Sequence, residues 1–203
     1  MAINEIFKII NRVYLPSEYS GIRERSYSLI TNYKAPRYVK INDRVTALIE
    51  DAVTVWFQIE ETTYLEGVDD ETVLNEAIRT YAPIIPNKDE ISLTLFIYIY
   101  NDEELRNLLP KYEGIERTVA LIIDGHTINA TPIYPEDYGP GTQPRSIHYL
   151  KFHEEGLDDK LGKAMDVRLA VNHKLVNRSV KFSQDQIVIL RNSVRRDQVP
   201  WVH

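Results

Sequence analysis

Two histidines and a glutamate are the residues of this sequence best suited to chemistry. Glu61 falls in the run Arg44–Glu66, RVTALIEDAVTVWFQIEETTYLE, where Gln58, Glu60 and Glu61 form a polar cluster inside a dense apolar stretch. His148 lies within SIHYLKF and His173 just after VRLAV, two strand-like segments. Neutral imidazoles joined by a carboxylate make a ligand set for Fe, Mn or Zn. Glu61, His148 and His173 are therefore a candidate divalent-metal site. A carboxylate in apolar surroundings costs several kcal/mol unless it is paired. The structural alternative is thus an ion pair from Glu61 to Arg44, Arg145 or Lys40, with His148 a satisfied interior histidine and His173 a turn residue. A third reading makes one of Glu60 and Glu61 a general base with its pKa raised by burial. Neighbouring residues point apart, so at most one of the two faces the interior.

Other chemistries are closed off by composition. The 203 residues contain no cysteine, so this chain carries no disulfide, no thiol nucleophile and no iron–sulfur cluster of its own. GxxxxGK[ST], GxGxxG, GxSxG and HExxH are all missing, and GPGTQP (139–144) lacks a following helix to aim amides at a phosphate. A net charge of −6 speaks against nucleic acid, which needs a basic face. Three arginines in 191–196 read as a solvated helix face. No stretch has the about 18 apolar residues of a membrane span, and the start lacks a signal-peptide core. A cytoplasmic protein without a membrane partner is expected. Abundant Ile and Tyr with two Met point to a heat-adapted source.

The elements that must position these residues read as α+β: a mainly antiparallel sheet with N-terminal helices, the helices largely packed on one face. One domain is expected over 1–203, with helices in 1–36, a mixed core in 37–195 and a tail in 196–203. The spacing predicts helices over 3–12, from Ser17 as cap towards Pro36, over 71–81, from Asp102 to Leu109, and from Ser183 over 184–195. Strands are expected over 38–49, at 91–100 as the central strand, and at 118–124, pairing with 91–100. Asp124-Gly125 marks a hairpin. Further strands are expected at 146–152, with His148, Leu150 and Phe152 on one side, and at 167–171 and 179–182. Residues 53–65 fit strand and helix templates equally: Asp51 suits a helix cap, but propensity alone favours the strand because Val and Thr are β-branched. The loop 132–145, with four prolines, is expected beside any pocket.

The run from Arg44 through TVWFQIEE, LNEAIRTYAPIIP and ISLTLFIYI, followed by SIHYLKF and VRLAVNHKLVNRSV, resembles domain-of-unknown-function family 3501 across residues 15–195. Thr54, Trp56, Phe57, Gln58, Ile59, Glu61 and Glu66 look like that family's TxWFQIxEMLRAE segment. Tyr81 with Ile85-Pro86 looks like its YnpLiP, residues 148–152 like its HFLRF, and His173 like the histidine of its DHp turn. Thr62 and Tyr64 stand where the family has Met and Arg, and Asn172 where it has Asp. The family segment is a strong helix former, so the resemblance implies a helix over Thr54–Leu65. It also implies a context, because members often neighbour rubrerythrin and iron–sulfur reductase genes. Two functions follow as expectations. One is a non-enzymatic accessory or docking protein for a redox partner, rubrerythrin or an iron–sulfur protein. The alternative is a metal- or small-ligand-dependent enzyme using a Glu/His constellation.

Overall fold

The apolar strand expected at 91–100 is the hub of a five-stranded antiparallel sheet in the computed structural model, which describes residues 2–134 and 144–202. The helices α1 (Ala2–Ile9), α2 (Pro16–Ser20) and α3 (Arg23–Lys34) come first. They are followed by β1 (Tyr38–Lys40), β2 (Val45–Glu50), α4 (Ala52–Glu66) and α5 (Glu71–Tyr81). Next are β3 (Glu90–Ile97), α6 (Asp102–Asn107), β4 (Val119–Ile123), β5 (His126–Asn129), β6 (Thr131–Ile133) and β7 (Ile147–His153). The chain continues through α7 (Leu157–Lys163), β8 (Val167–His173), β9 (Val176–Lys181) and α8 (Gln184–Arg191). Most of the 132–145 loop, residues 135–143, lies outside the described residues.

The strands form two sheets, β1-β2-β3-β7-β6 and β5-β4-β8-β9, with antiparallel pairing throughout. The fold is α+β. Strand β3 is central, but its neighbours are β2 and β7, not the 118–124 strand. That expected pairing is wrong because β4 faces β3 across the core. Ile91, Leu93 and Leu95 share one buried cluster with Val119, Leu121 and Ile123. A strand that is apolar on both faces looks the same in sequence whether a second strand lies beside it or over it.

The other face of the five-stranded sheet meets the helices. Tyr149 on that face joins Val53, Trp56 and Ile59 of α4 and Leu74 and Ala77 of α5 in a second core. Helix α4 forms despite its β-branched residues because Asp51 receives hydrogen bonds from the amides of Val53 (2.9 Å) and Thr54 (3.1 Å). Gly67, at φ +67°, ends it in the left-handed conformation glycine adopts without a Cβ clash. Burial of Val53, Val55, Trp56 and Ile59 then outweighs propensity. Between β4 and β5, Asp124 (φ 47°) and Gly125 (φ 85°) make the expected two-residue turn.

Several boundaries differ from expectation. Ser17 sits inside α2, its amide and hydroxyl both bonded to Asp69 at 2.9 Å, while Pro16 occupies the first turn. Asn101 rather than Asp102 caps α6. The 38–49 strand is broken by a turn in which Asn42 accepts from the amides of Arg44 and Val45. Ser183 does cap α8, but the helix stops at Arg191, so Arg195 and Arg196 are not on its face.

Candidate functional site

Helix α4 splits its adjacent glutamates, Glu60 and Glu61, between interior and surface. Glu60 is 1% exposed. Its Oε1 accepts from the Tyr14 amide at 2.8 Å, and its Oε2 has no hydrogen-bond partner. Burial pushes its carboxyl up to about 8, against the opposing pull of the Tyr14 amide and of Arg12. The same strap of chain is held at Arg12, whose carbonyl accepts from the Trp56 indole at 2.7 Å, and at Ile10, whose carbonyl accepts from the Trp201 indole at 2.8 Å.

Glu61 points the other way, into a guanidinium fork. Arg23 donates from Nε (3.0 Å) and Nη2 (2.8 Å), and the Tyr19 hydroxyl adds a third bond at 2.8 Å. Burial, together with this carboxylate, holds the Tyr19 phenol above its ordinary range. The glutamate therefore has the arginine partner the structural alternative called for, but that partner is Arg23. Arg44 instead makes a two-toothed pair with Glu104 (2.6 and 2.7 Å), and the Arg145 guanidinium lies 5.6 Å from the Tyr134 ring. Gln58 is half-buried on α4. Arg23 and Glu61 are both partly solvated, so Arg23→Ala should destabilise the chain far less than removal of the buried Asp51 carboxylate. A urea midpoint lowered as far by Arg23→Ala as by Asp51→Ala would contradict that ranking.

Neither histidine shares these partners. His148 projects from β7 on the side of Leu150 and Phe152, opposite Leu95 in register. Its Nε2 is 3.1 Å from the Arg145 carbonyl and its Nδ1 is 3.8 Å from Glu116 Oε2. Burial pushes the imidazole down, with the Glu116 charge acting against it. The cleft beside it, lined by Glu116, Tyr134, Arg145 and His148 among others, encloses about 10 Å³, room for about one water. His173, at the end of β8, stacks on Tyr112 with ring centroids 6.0 Å apart, and its Nε2 lies 3.3 Å from the Glu113 carbonyl. The structure thus gives Glu61, His148 and His173 three separate sets of partners. Among the described residues no group of three His, Cys, Asp or Glu side chains is arranged to hold a metal ion. An arginine fork and a tyrosine satisfy the carboxylate that the metal reading needed.

Sequence reasoning missed the most polar buried cluster. Under the N-terminus of α4, Asp51 accepts from the Tyr33 hydroxyl (2.5 Å) and pairs with Arg37 (2.6 Å). Beside it, Glu50 accepts from Thr54 and, at 2.5 Å, from Thr94. Burial raises the Glu50 carboxyl, while the two hydroxyls pull it down. Glu50 and Asp51 were legible only as a strand end and a cap. Arg37, Tyr33 and Thr94 carry no local signal that they converge there.

The family model for proteins of unknown function numbered DUF3501 matches residues 9–194. The chain belongs to the DUF3501 family. A crystal structure of a novel protein of unknown function from Burkholderia pseudomallei K96243 superimposes with a TM-score of 0.80 at 23% identity. That match covers 90% of this chain and 96% of the other. At that identity it shows a shared fold and nothing about activity. No curated protein matches. No helix among the described residues is long and apolar enough to cross a membrane.

Proposed function

We propose that this DUF3501 protein is a non-enzymatic accessory in the cytoplasm that docks to a redox partner. The observation that carries the reading is an aromatic area at one end of the five-stranded sheet. The helices bury Leu48, Thr94 and Tyr149 on that face but leave its other end open. There Phe96 pairs with Ile147, Tyr98 follows two residues on, and Tyr38 projects from the edge strand. Tyr27 of α3 stands edge-on to Phe57 of α4, ring centroids 5.7 Å apart. Tyr27, Tyr38, Tyr98 and Ile147 are 53, 40, 41 and 38% exposed. Clustered exposed aromatics are the usual core of a protein–protein contact, and Lys34 and Lys40 supply a polar rim. The redox character of the partner rests on the family resemblance, whose members neighbour rubrerythrin and iron–sulfur reductase genes.

Calorimetric titration of the purified protein into a purified rubrerythrin and into an iron–sulfur reductase tests this. Binding in the micromolar range is expected with one of them. Tyr98→Glu with Ile147→Glu should weaken it at least about tenfold at unchanged melting temperature. Undiminished binding by that double variant removes the aromatic area from the proposal. No complex with either protein removes the redox partner. The alternative, a metal- or ligand-dependent enzyme, is favoured only by His148 standing beside Glu116, and elemental analysis of purified protein tests it.

A further inference from the structure

The C-terminal segment closes a cleft of a different kind from the one beside His148. Helix α5 and the turn after it present Asn75, Ile78, Arg79 and Ala82 at helical spacing along one wall. Val13 of the N-terminal strap and Trp201 and Val202 of the tail make the other walls. The volume is about 600 Å³, within the range of small-molecule sites, where the His148 cleft holds about 10 Å³. Among the described residues its lining is apolar apart from Asn75, Arg79 and Arg196.

We propose that this cleft binds a small organic acid, a carboxylate carried on an aliphatic chain. The chain would lie along Val13, Ile78, Ala82 and the Trp201 ring, a surface that gains by leaving water. The carboxylate would meet the two guanidinium groups, whose planar forks match its geometry. Among the described residues lining the cleft none is acidic, and the nearest carboxylate to Arg79 in an ion pair is that of Glu76. Arg79 stands 3.9 Å from Glu76, beyond hydrogen-bond length, so a bound carboxylate replaces no established bond there. The site is also positioned. The Arg196 amide donates to the Pro86 carbonyl at 3.0 Å and the Trp201 indole to Ile10 at 2.8 Å, which fixes the tail against the strap. Pre-set walls of this kind lose little entropy when a ligand enters.

Calorimetric titration with decanoate, and with decanol as its neutral counterpart, tests the assignment on the full chain. Decanoate is expected to bind with a Kd below about 100 μM. Arg79→Ala with Arg196→Ala should weaken decanoate about tenfold and leave decanol unchanged, because only the charged head is recognised. Asn75→Trp, at an exposed position, should block both ligands while the melting temperature stays that of the parent. Three results would overturn the proposal: no heat of binding up to about 1 mM decanoate, equal loss of both ligands in the double arginine variant, or undiminished decanoate binding by Asn75→Trp.

Discussion

Raising the pH from 5 to 9 is expected to favour the Glu60→Gln variant over the parent protein by at least about 8 °C in melting temperature. Glu60 is buried with one oxygen unpartnered, and burial pushes its carboxyl up to about 8, from about 4.3 in an unfolded chain. A folded state that holds this proton more tightly has its full stability below about pH 4. It loses stability as the pH rises through that interval, and the loss is complete above about 8. Each tenfold difference in proton affinity is about 1.4 kcal/mol, so the group withdraws on the order of 5 kcal/mol across the whole interval, about 4 kcal/mol of it between pH 5 and 9. A chain of this length loses about 2–4 °C per kcal/mol. Glutamine keeps the acceptor for the Tyr14 amide and has nothing to ionise. Its amide nitrogen would lie buried without an acceptor, a penalty of about 1–3 kcal/mol that is the same at every pH. Titrating groups that do not interact with Glu60 cancel in the comparison. Melting temperatures of the two proteins that run parallel between pH 5 and 9 would show that Glu60 does not hold its proton as its burial requires.

The second large effect is expected at Asp51. Its carboxylate caps α4 through two amides, accepts from Tyr33 and pairs with Arg37, which is 4% exposed. Asp51→Ala removes the cap, worth about 1 kcal/mol, and leaves a guanidinium buried without its counter-charge, worth about 3–5 kcal/mol. Urea denaturation should show a loss of at least about 4 kcal/mol with an unchanged slope. Asp51→Asn combined with Arg37→Met should recover most of it, since both charges then leave the interior and asparagine still caps. A single-variant loss under about 1 kcal/mol would mean the pair contributes little.

These two positions show where a sequence is legible. Asp51 as a cap, the helix at 71–81 and the Asp124-Gly125 hairpin are local statements, decided by residues within one turn of each other, and the structure has all three. For 53–65 the local patterns tie, and the family resemblance points to the helix the structure has. The partner of Glu61, by contrast, is 38 positions away, and nothing in residue type says that Arg23 rather than Arg44 fills the role. The strand pairing fails for the same reason. An apolar β3 accepts any apolar neighbour, and only the whole arrangement decides that β7 lies beside it and β4 across from it. The candidate metal set was a statement about long-range proximity made from residues whose spacing holds no such information. Each of its members has nearer partners instead.

The bond from the Trp201 indole to Ile10 joins positions 191 residues apart. On the ribosome, Ile10 emerges 191 residues ahead of Trp201, so this tie becomes available late. Until then the strap that shields Glu60 and Trp56 lacks the anchor at Ile10, and the apolar surface of Ile6, Ile10 and Tyr19 has no lasting cover from the tail. The helical layer must therefore wait in an incomplete state, the kind that chaperones hold and proteases cut. Losing Trp201 would weaken the segment around Ile10 most, although 191 positions separate them.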